Sequence, residues 1–280
     1  MTIKLAVLGH PIKHSRSPDI HHAFAAALGL SVQYDAIDVP PGAFNEQVQM
    51  LQDRHYIGLN VTVPHKEAAF ALAHDLTARA QLAGAVNTLC FDSLTQRWKG
   101  DNTDGEGLVQ DLVHRLNWPI AGRRFLVLGA GGAVRGVLGP LLAQRPGAVV
   151  IANRTVSKAE HLAEQFSALA QHTGCDLYAS GFAAVEGPFD VVINGTSASL
   201  AADVPPIPAT AISSNTCAYD MMYGAADTAF NGWATTAGAQ QTADGLGMLV
   251  GQAAAAFALW TGHEPDPWAV LAQLRQQLAD

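Results

Sequence analysis

The sequence predicts an α/β fold in two domains, each built on a mainly parallel sheet. Three observations carry this. Strand-like and helical runs alternate as far as about residue 92, a second alternation begins at Arg123 around a cluster of glycines, and two helical stretches close the chain with no strand left to pair. Strand–helix alternation favours parallel pairing, because each strand can return to the same edge only through a crossover.

In the first domain the expected strands span residues 4–8, 32–38, 58–63 and 86–91, with helices over 17–28, 43–53 and 65–72 between them. Ser17-Pro18 reads as an N-cap followed by proline in the first helical position, and Gly29 stands where that helix should stop. Pro64 opens the next helix in the same way. In the second domain, 125–128 is a buried strand, 129–132 a glycine turn, 134–143 a helix and 149–152 the next strand, together one βαβ unit. A helix over 157–170 and strands over 190–194 and 216–221 follow, with a proline-rich loop at 204–208. Helices over 246–261 and 267–278 then return to the first domain. The expected division is therefore 1–104 with 238–280 as substrate domain and 105–237 as a Rossmann-type domain, with hinges near Gly105 and Gly238.

Composition narrows the function. The 280 residues carry 16 Lys+Arg against 24 Asp+Glu, a formal net charge of −8. A nucleic-acid reader gains affinity by releasing counterions from phosphates with a basic face, so this balance speaks against nucleic acid, and equally against anionic membranes. The N-terminal apolar run reaches Gly9-His10-Pro11 too early for a secretory signal. Residues 245–262 hold no charged side chain or histidine, yet Gln252 and a block of alanines suit a buried helix rather than a lipid-facing one. Three scattered cysteines form neither a disulfide framework nor a metal-ligand spacing and fit a reducing cytosol. The histidines, among them His10, His14, His21 and His22, show no ligand spacing, so no metal is expected.

The strongest local signal is Phe125-Leu126-Val127-Leu128-Gly129-Ala130-Gly131-Gly132-Ala133. A strand ending in glycines before a helix lets backbone N–H groups approach a pyrophosphate without obstruction. The strict G-x-G-x-x-G pattern is not met, since Val134 takes the third position. At the end of the second strand an NAD site carries an acid for the ribose hydroxyls; here Asn153-Arg154-Thr155 and Lys158 stand instead, which points to the 2′-phosphate of NADP(H). A solvated arginine at a helix start is the plain alternative.

Two further segments gather polar groups: Asn60-Val61-Thr62-Val63-Pro64-His65-Lys66 and Asp101-Asn102-Thr103-Asp104-Gly105. With Gly9-His10-Pro11-Ile12, His14-Ser15-Arg16-Ser17-Pro18, Gly84-Ala85-Val86-Asn87-Thr88, the glycine turn, Asn153-Arg154-Thr155 and Asp244-Gly245-Leu246-Gly247-Met248-Leu249-Val250-Gly251-Gln252, the sequence resembles the shikimate dehydrogenase family from end to end. The resemblance implies NADPH-dependent, reversible reduction of 3-dehydroshikimate to shikimate on the route to chorismate and the aromatic amino acids. It implies Lys66 and Asp104 as catalytic residues, and Ser15, Ser17, Asn60, Thr62, Asn87, Tyr223 and Gln252 as further substrate contacts. Met221 is implied beside the nicotinamide, with Gly245 allowing backbone approach to it.

Taken singly, a lysine after Pro-His is an ordinary exposed helix residue and an aspartate before glycine an ordinary turn former; the family match reverses both readings. Departures from the family pattern fall at Ala198-Ser199-Leu200, which lacks a glycine, and after Tyr223, which lacks a proline. The resemblance implies a small-molecule substrate, a monomer or homodimer, and a cleft that closes over its ligands. A quinate/shikimate dehydrogenase with relaxed cofactor use and a non-catalytic NADP-sensing regulator stand as alternatives.

Overall fold

The computed structural model describes residues 2–196, 198 and 203–279, so Ser197, Ser199 and Leu200 of the segment that departs from the family pattern lie outside the described residues. The chain divides into two compact units, one reaching to Gly107 and including Val250–Ala272, the other formed by Leu108–Leu249 and the segment from Gln273 on.

The first unit is built on β1 (Ile3–Gly9), whose second half is buried without alternation because the strand is covered on both faces. α1 (Ser17–Ala27) and β2 (Val32–Asp38) follow, then α2 (Phe44–Asp53) and β3 (Gly58–Val61). Next come α3 (Lys66–Leu72), β4 (Asp75–Leu76), α4 (Ala78–Ala83), β5 (Thr88–Asp92) and β6 (Arg97–Asp101). The sheet order is β2-β1-β3-β5-β6-β4. β1 runs parallel to β2 and β3, whereas β5 is antiparallel to β3 and to β6. This sheet is therefore more mixed than the strand–helix alternation implies: β6, of sequence Arg-Trp-Lys-Gly-Asp, forms a hairpin with β5 and buries only Trp98, Gly100 and Asp101.

The starts of α1 and α3 lack the capping expected of them. α1 begins at Ser17 itself, with Arg16 as the N-cap in helical conformation, so the Ser17 hydroxyl does not cap the helix; instead the Ser17 N–H donates to Ser15 Oγ at 3.3 Å. α3 begins at Lys66 after His65, one residue later than Pro64 suggested.

Leu5, Val7, Ile12 and Tyr34 form a buried cluster with Ala256 and Trp260 of α9 (Leu246–Thr261), which follows α5 (Asp104–Gln110) and the second-unit elements given below. Gly58 is the residue that lets Trp260 lie flat here, since a Cβ would fall 2.5 Å from the indole ring. The indole N–H donates to the Leu89 carbonyl at 3.0 Å.

In the second unit the elements are β7 (Arg124–Leu128), α6 (Gly132–Ala143), β8 (Ala148–Ala152), α7 (Val156–Thr173), β9 (Asp176–Ser180) and β10 (Val191–Asn194). They are followed by β11 (Cys217–Asp220), α8 (Ala229–Thr236) and β12 (Gln241–Asp244); α10 (Pro267–Ala279) ends the chain and belongs to the first unit only as far as Ala272, not over its whole length as expected. The sheet order is β12-β11-β10-β7-β8-β9, parallel throughout, with the order reversing between β7 and β10. That reversal is the topological switch point at which open α/β sheets bind ligands, beyond the carboxyl ends of the strands. β12 was not expected. Its sequence, Gln-Thr-Ala-Asp, has no apolar run, yet it pairs with β11 and carries the second unit past residue 238 to Leu249.

Candidate active site

The carboxyl end of β7 leads into Gly129, whose φ of +105° is left-handed territory that favours glycine. A Cβ there would also approach the Gly195 carbonyl at 3.2 Å. Gly131 caps α6, and neither at Gly131 nor at Gly132 would a Cβ meet any atom within 4 Å. The open space belongs to a cavity of about 530 Å³. It is lined by Gly129, Ala130, Gly131, Gly132 and Ala133, by Asn153, Arg154, Thr155 and Lys158, and by several residues the sequence did not single out, including Phe182, Thr196 and Asp203. All the residues expected around the phosphates and adenosine thus face one cavity.

The missing third glycine has a physical counterpart. Val134 is fully buried, and a Cβ on Gly195 would lie 2.4 Å from its side chain. Close packing of the helix on the sheet is therefore obtained by removing the side chain from β10's exit instead of from α6.

The Asn153 amide donates to the Thr155 carbonyl at 2.8 Å and fixes the corner from which Arg154 and Lys158 project. Both cations are exposed, and among the described residues neither forms an ion pair. Backbone N–H groups at a helix start together with unpaired cations fit a ligand carrying several phosphates. Met221 directly follows β11, and Tyr223 stands two residues on, half-buried. Gly245 is demanded first by the protein: a Cβ would fall 2.1 Å from the Met221 carbonyl oxygen.

The polar cluster of the first unit is assembled from distant segments. Lys66 Nζ lies 2.5 Å from Asp104 Oδ2. Asn87 Nδ2 donates to the other carboxylate oxygen at 2.8 Å, to Thr103 Oγ1 at 3.0 Å and to Gln252 Oε1 at 3.3 Å. The Thr103 N–H donates back to Asn87 Oδ1 at 2.8 Å, which fixes the amide orientation. Lys66, Asn87, Asp104 and Gln252 are thereby joined by direct hydrogen bonds, and Asn60 reaches the group through the Asn87 carbonyl at 3.4 Å. Thr62, half-buried just past β3, is held by its N–H to the Leu8 carbonyl. Ser15, in the loop before α1, accepts from the N–H of Ser17, the first residue of that helix. An ammonium beside a carboxylate, surrounded by amides and hydroxyls that both donate and accept, suits a ligand bearing several hydroxyl groups and an oxygen that gains or loses a proton.

Sequence reading missed the frame behind this cluster. Asp101 is buried and accepts from Arg79 at 2.7 and 2.8 Å and from Thr77 at 2.6 Å. Burial by itself would raise its carboxyl, but the Arg79 and Thr77 hydrogen bonds and the guanidinium charge outweigh burial and hold it below the usual carboxylate range. Because the folded-state value is depressed, the stabilisation is full above the unfolded value of about 3.9 and is lost as pH falls through the folded one. Asp101→Asn is therefore expected to cost about 2 kcal/mol near pH 7. The gap in Tm between this variant and wild type should close as pH falls below about 4; a constant gap across thermal unfolding series would contradict the assignment.

A second missed group is buried in the second unit. Asp111 is fully buried, accepts from Arg115 and from the Tyr219 hydroxyl at 2.6 Å, and leaves no room for a Cβ at Gly247. It ties β11 to the start of α9. Asp111 and Tyr219 are 108 positions apart in the chain, a separation that leaves no local signal. Among the described residues no helix is long and apolar enough to cross a membrane.

A switch-point cavity with room for a dinucleotide in one unit and a lysine–aspartate pair among buried amides in the other fit a nicotinamide-dependent oxidoreductase acting on a CH–OH group. The chain belongs to the shikimate dehydrogenase family. Residues 7–89 match the shikimate dehydrogenase substrate binding domain, 111–202 the shikimate / quinate 5-dehydrogenase model and 245–275 the shikimate 5'-dehydrogenase C-terminal domain. The shikimate dehydrogenase (NADP(+)) of Marinobacter nauticus is 54% identical over 270 residues, covering 96% of this chain and 97% of that protein. Among solved structures, the Ael1 enzyme of Pseudomonas putida superposes with a TM-score of 0.89 at 43% identity over 97% of this chain and 98% of that one. The shikimate 5-dehydrogenase of Thermus thermophilus, in complex with NADP(H) and shikimate, does so with a TM-score of 0.84 at 33% identity over 99% and 100%.

Proposed function

We propose that the protein is an NADP-dependent dehydrogenase that interconverts 3-dehydroshikimate and shikimate in the cytosol, a step toward chorismate and the aromatic amino acids. The observation that carries this reading is the Lys66–Asp104 pair at 2.5 Å, tied through Asn87 to Gln252. The three cysteines are free, in keeping with a reducing compartment.

Bound NADPH supplies the hydride that reduces the carbonyl carbon. Lys66 gives a proton to the oxygen on which negative charge develops and takes it back in the reverse direction. Asp104 holds the Lys66 ammonium and accepts a hydrogen bond from a ring hydroxyl, while Asn87 keeps the carboxylate oriented. Thr62, Asn60 and Gln252 offer donors and acceptors to the remaining hydroxyls, and Ser15 and Ser17 donate to the substrate carboxylate. Tyr223 is a further proposed substrate contact. Gly129, Ala130, Gly131, Gly132 and Ala133 give the pyrophosphate room and N–H groups. Asn153, Arg154, Thr155 and Lys158 take the adenosine 2′-phosphate, and Met221 with Gly245 borders the nicotinamide.

The reaction is tested by approaching equilibrium from both sides. NADPH with 3-dehydroshikimate and NADP with shikimate should converge on one product ratio. Consumption of NADPH that does not depend on 3-dehydroshikimate would refute the reading.

A further inference from the structure

Behind the residues proposed to hold the ring lies a buried polar layer with no part in the chemistry. The Tyr34 hydroxyl, on β2, donates to Asn60 Oδ1 at 2.7 Å, and Nε2 of His21, on α1, lies 3.1 Å from the same oxygen. The two rings stack at 4.2 Å with 10° between their planes. The Ser17 side chain also acts on the Tyr34 hydroxyl. Tyr34 thus touches two residues proposed to hold the substrate.

The arrangement decides which way the Asn60 amide faces. A carboxamide fills nearly the same space when flipped, so its neighbours choose its orientation. Here Asn60 Oδ1 receives two donors, which turns Nδ2 toward the Asn87 carbonyl at 3.4 Å and Thr88 Oγ1 at 3.5 Å. Both contacts are long, so the amide keeps donor capacity for a ligand hydroxyl.

His21 carries a cost that packing does not explain. Burial, only partly offset by the Asn60 bond, lowers its pKa to about 3, so the ring is neutral and has one N–H to give. With Nε2 donating, Nδ1 is buried with no hydrogen-bond partner among the described residues. A phenylalanine stacked on Tyr34 and Phe257 and edge-on to Phe24 would avoid that unsatisfied atom.

We propose that Tyr34 and His21 are positioning residues for the substrate, locking the Asn60 amide in the orientation that leaves its weakly engaged N–H groups available to a ring hydroxyl. The proposal rests on the reading that Asn60 belongs to the shikimate site. The test uses Tyr34→Phe and His21→Phe in the full chain, with shikimate binding measured by calorimetry without cofactor, steady-state kinetics and Tm. Tyr34→Phe is expected to raise the Kd and KM for shikimate about 10-fold, with kcat changed less than about 3-fold. The KM for NADP should stay at its wild-type value. His21→Phe should weaken shikimate binding in the same direction without lowering Tm.

Wild-type shikimate affinity in both variants, with a loss of Tm, makes the pair merely structural and overturns the proposal. If one variant fails to fold, the other decides. A wild type that binds shikimate but does not oxidise it removes the proposed reaction and leaves this comparison intact, whereas one that does not bind shikimate overturns both.

Discussion

Lys66→Ala is expected to lower kcat about 10²- to 10⁴-fold, the range over which a positioned acid or base accelerates proton transfer. Its amine lies 2.5 Å from Asp104 in the half-buried cluster. Asp104 is itself held by Asn87, so removing the amine leaves the carboxylate in place. Ring-hydroxyl contacts then survive, and the KM for shikimate should change far less than kcat. That split separates a proton carrier from a binding group: losing an interaction made only in the transition state lowers kcat and kcat/KM together, while losing uniform binding raises KM alone. Near-normal turnover in Lys66→Ala would remove Lys66 from the chemistry, and a raised KM with unchanged kcat would reduce it to a substrate contact.

Arg154→Ala is expected to raise the KM for NADP about 10- to 100-fold, the loss of hydrogen bonds from a charged donor to a phosphate. The same change should scarcely alter the KM for NAD, which has no 2′-phosphate. Arg154 lies on the rim of the dinucleotide cavity with Lys158 and, like it, makes no ion pair among the described residues. The substitution therefore breaks no internal salt bridge, and its effect falls on the ligand. Lys158→Ala should act in the same direction by a smaller factor, because a single ammonium lacks the planar fork of a guanidinium. An unchanged NADP/NAD preference in Arg154→Ala would contradict the assignment of the phosphate to this corner.

Much of this organisation was legible in the sequence where one segment carries its own signal. The run Phe125-Leu126-Val127-Leu128 before Gly129 announces a buried strand entering a phosphate turn, and the cavity lies there. The absence of an acid at the end of β8 pointed to NADP in the same way. Elements whose reason lies elsewhere in the chain were hidden. β12 is a strand because β11 offers it an edge, not because Gln-Thr-Ala-Asp prefers to be one. β6 alternates charged and buried residues only because it closes a hairpin. Ser17 has the composition of a helix cap, but Arg16 takes the capping position in helical conformation. Gly245 reads as an opening toward a ligand, whereas the nearest constraint on it is the Met221 carbonyl.

In the candidate site, single segments named the groups proposed to touch ligands and concealed the neighbours that hydrogen-bond to them. Lys66, Asn87, Asp104 and Gln252 lie in motifs, while their contacts span up to 165 residues of chain. Arg79, Tyr34 and His21 stand outside those motifs and gain meaning only when folding brings them to the Asp101 carboxylate or the Asn60 amide. An ion pair or an oriented amide is a property of two segments at once, and hydropathy periodicity carries no record of it.

The most direct measurement follows the nicotinamide absorbance of purified protein given shikimate or quinate, each with NADP or NAD. Rapid NADP reduction with shikimate is predicted, with NAD and quinate each a far poorer substitute. No shikimate-dependent reduction of NADP would contradict the central claim, and equal rates with NAD or with quinate would shift it to the relaxed quinate/shikimate reading.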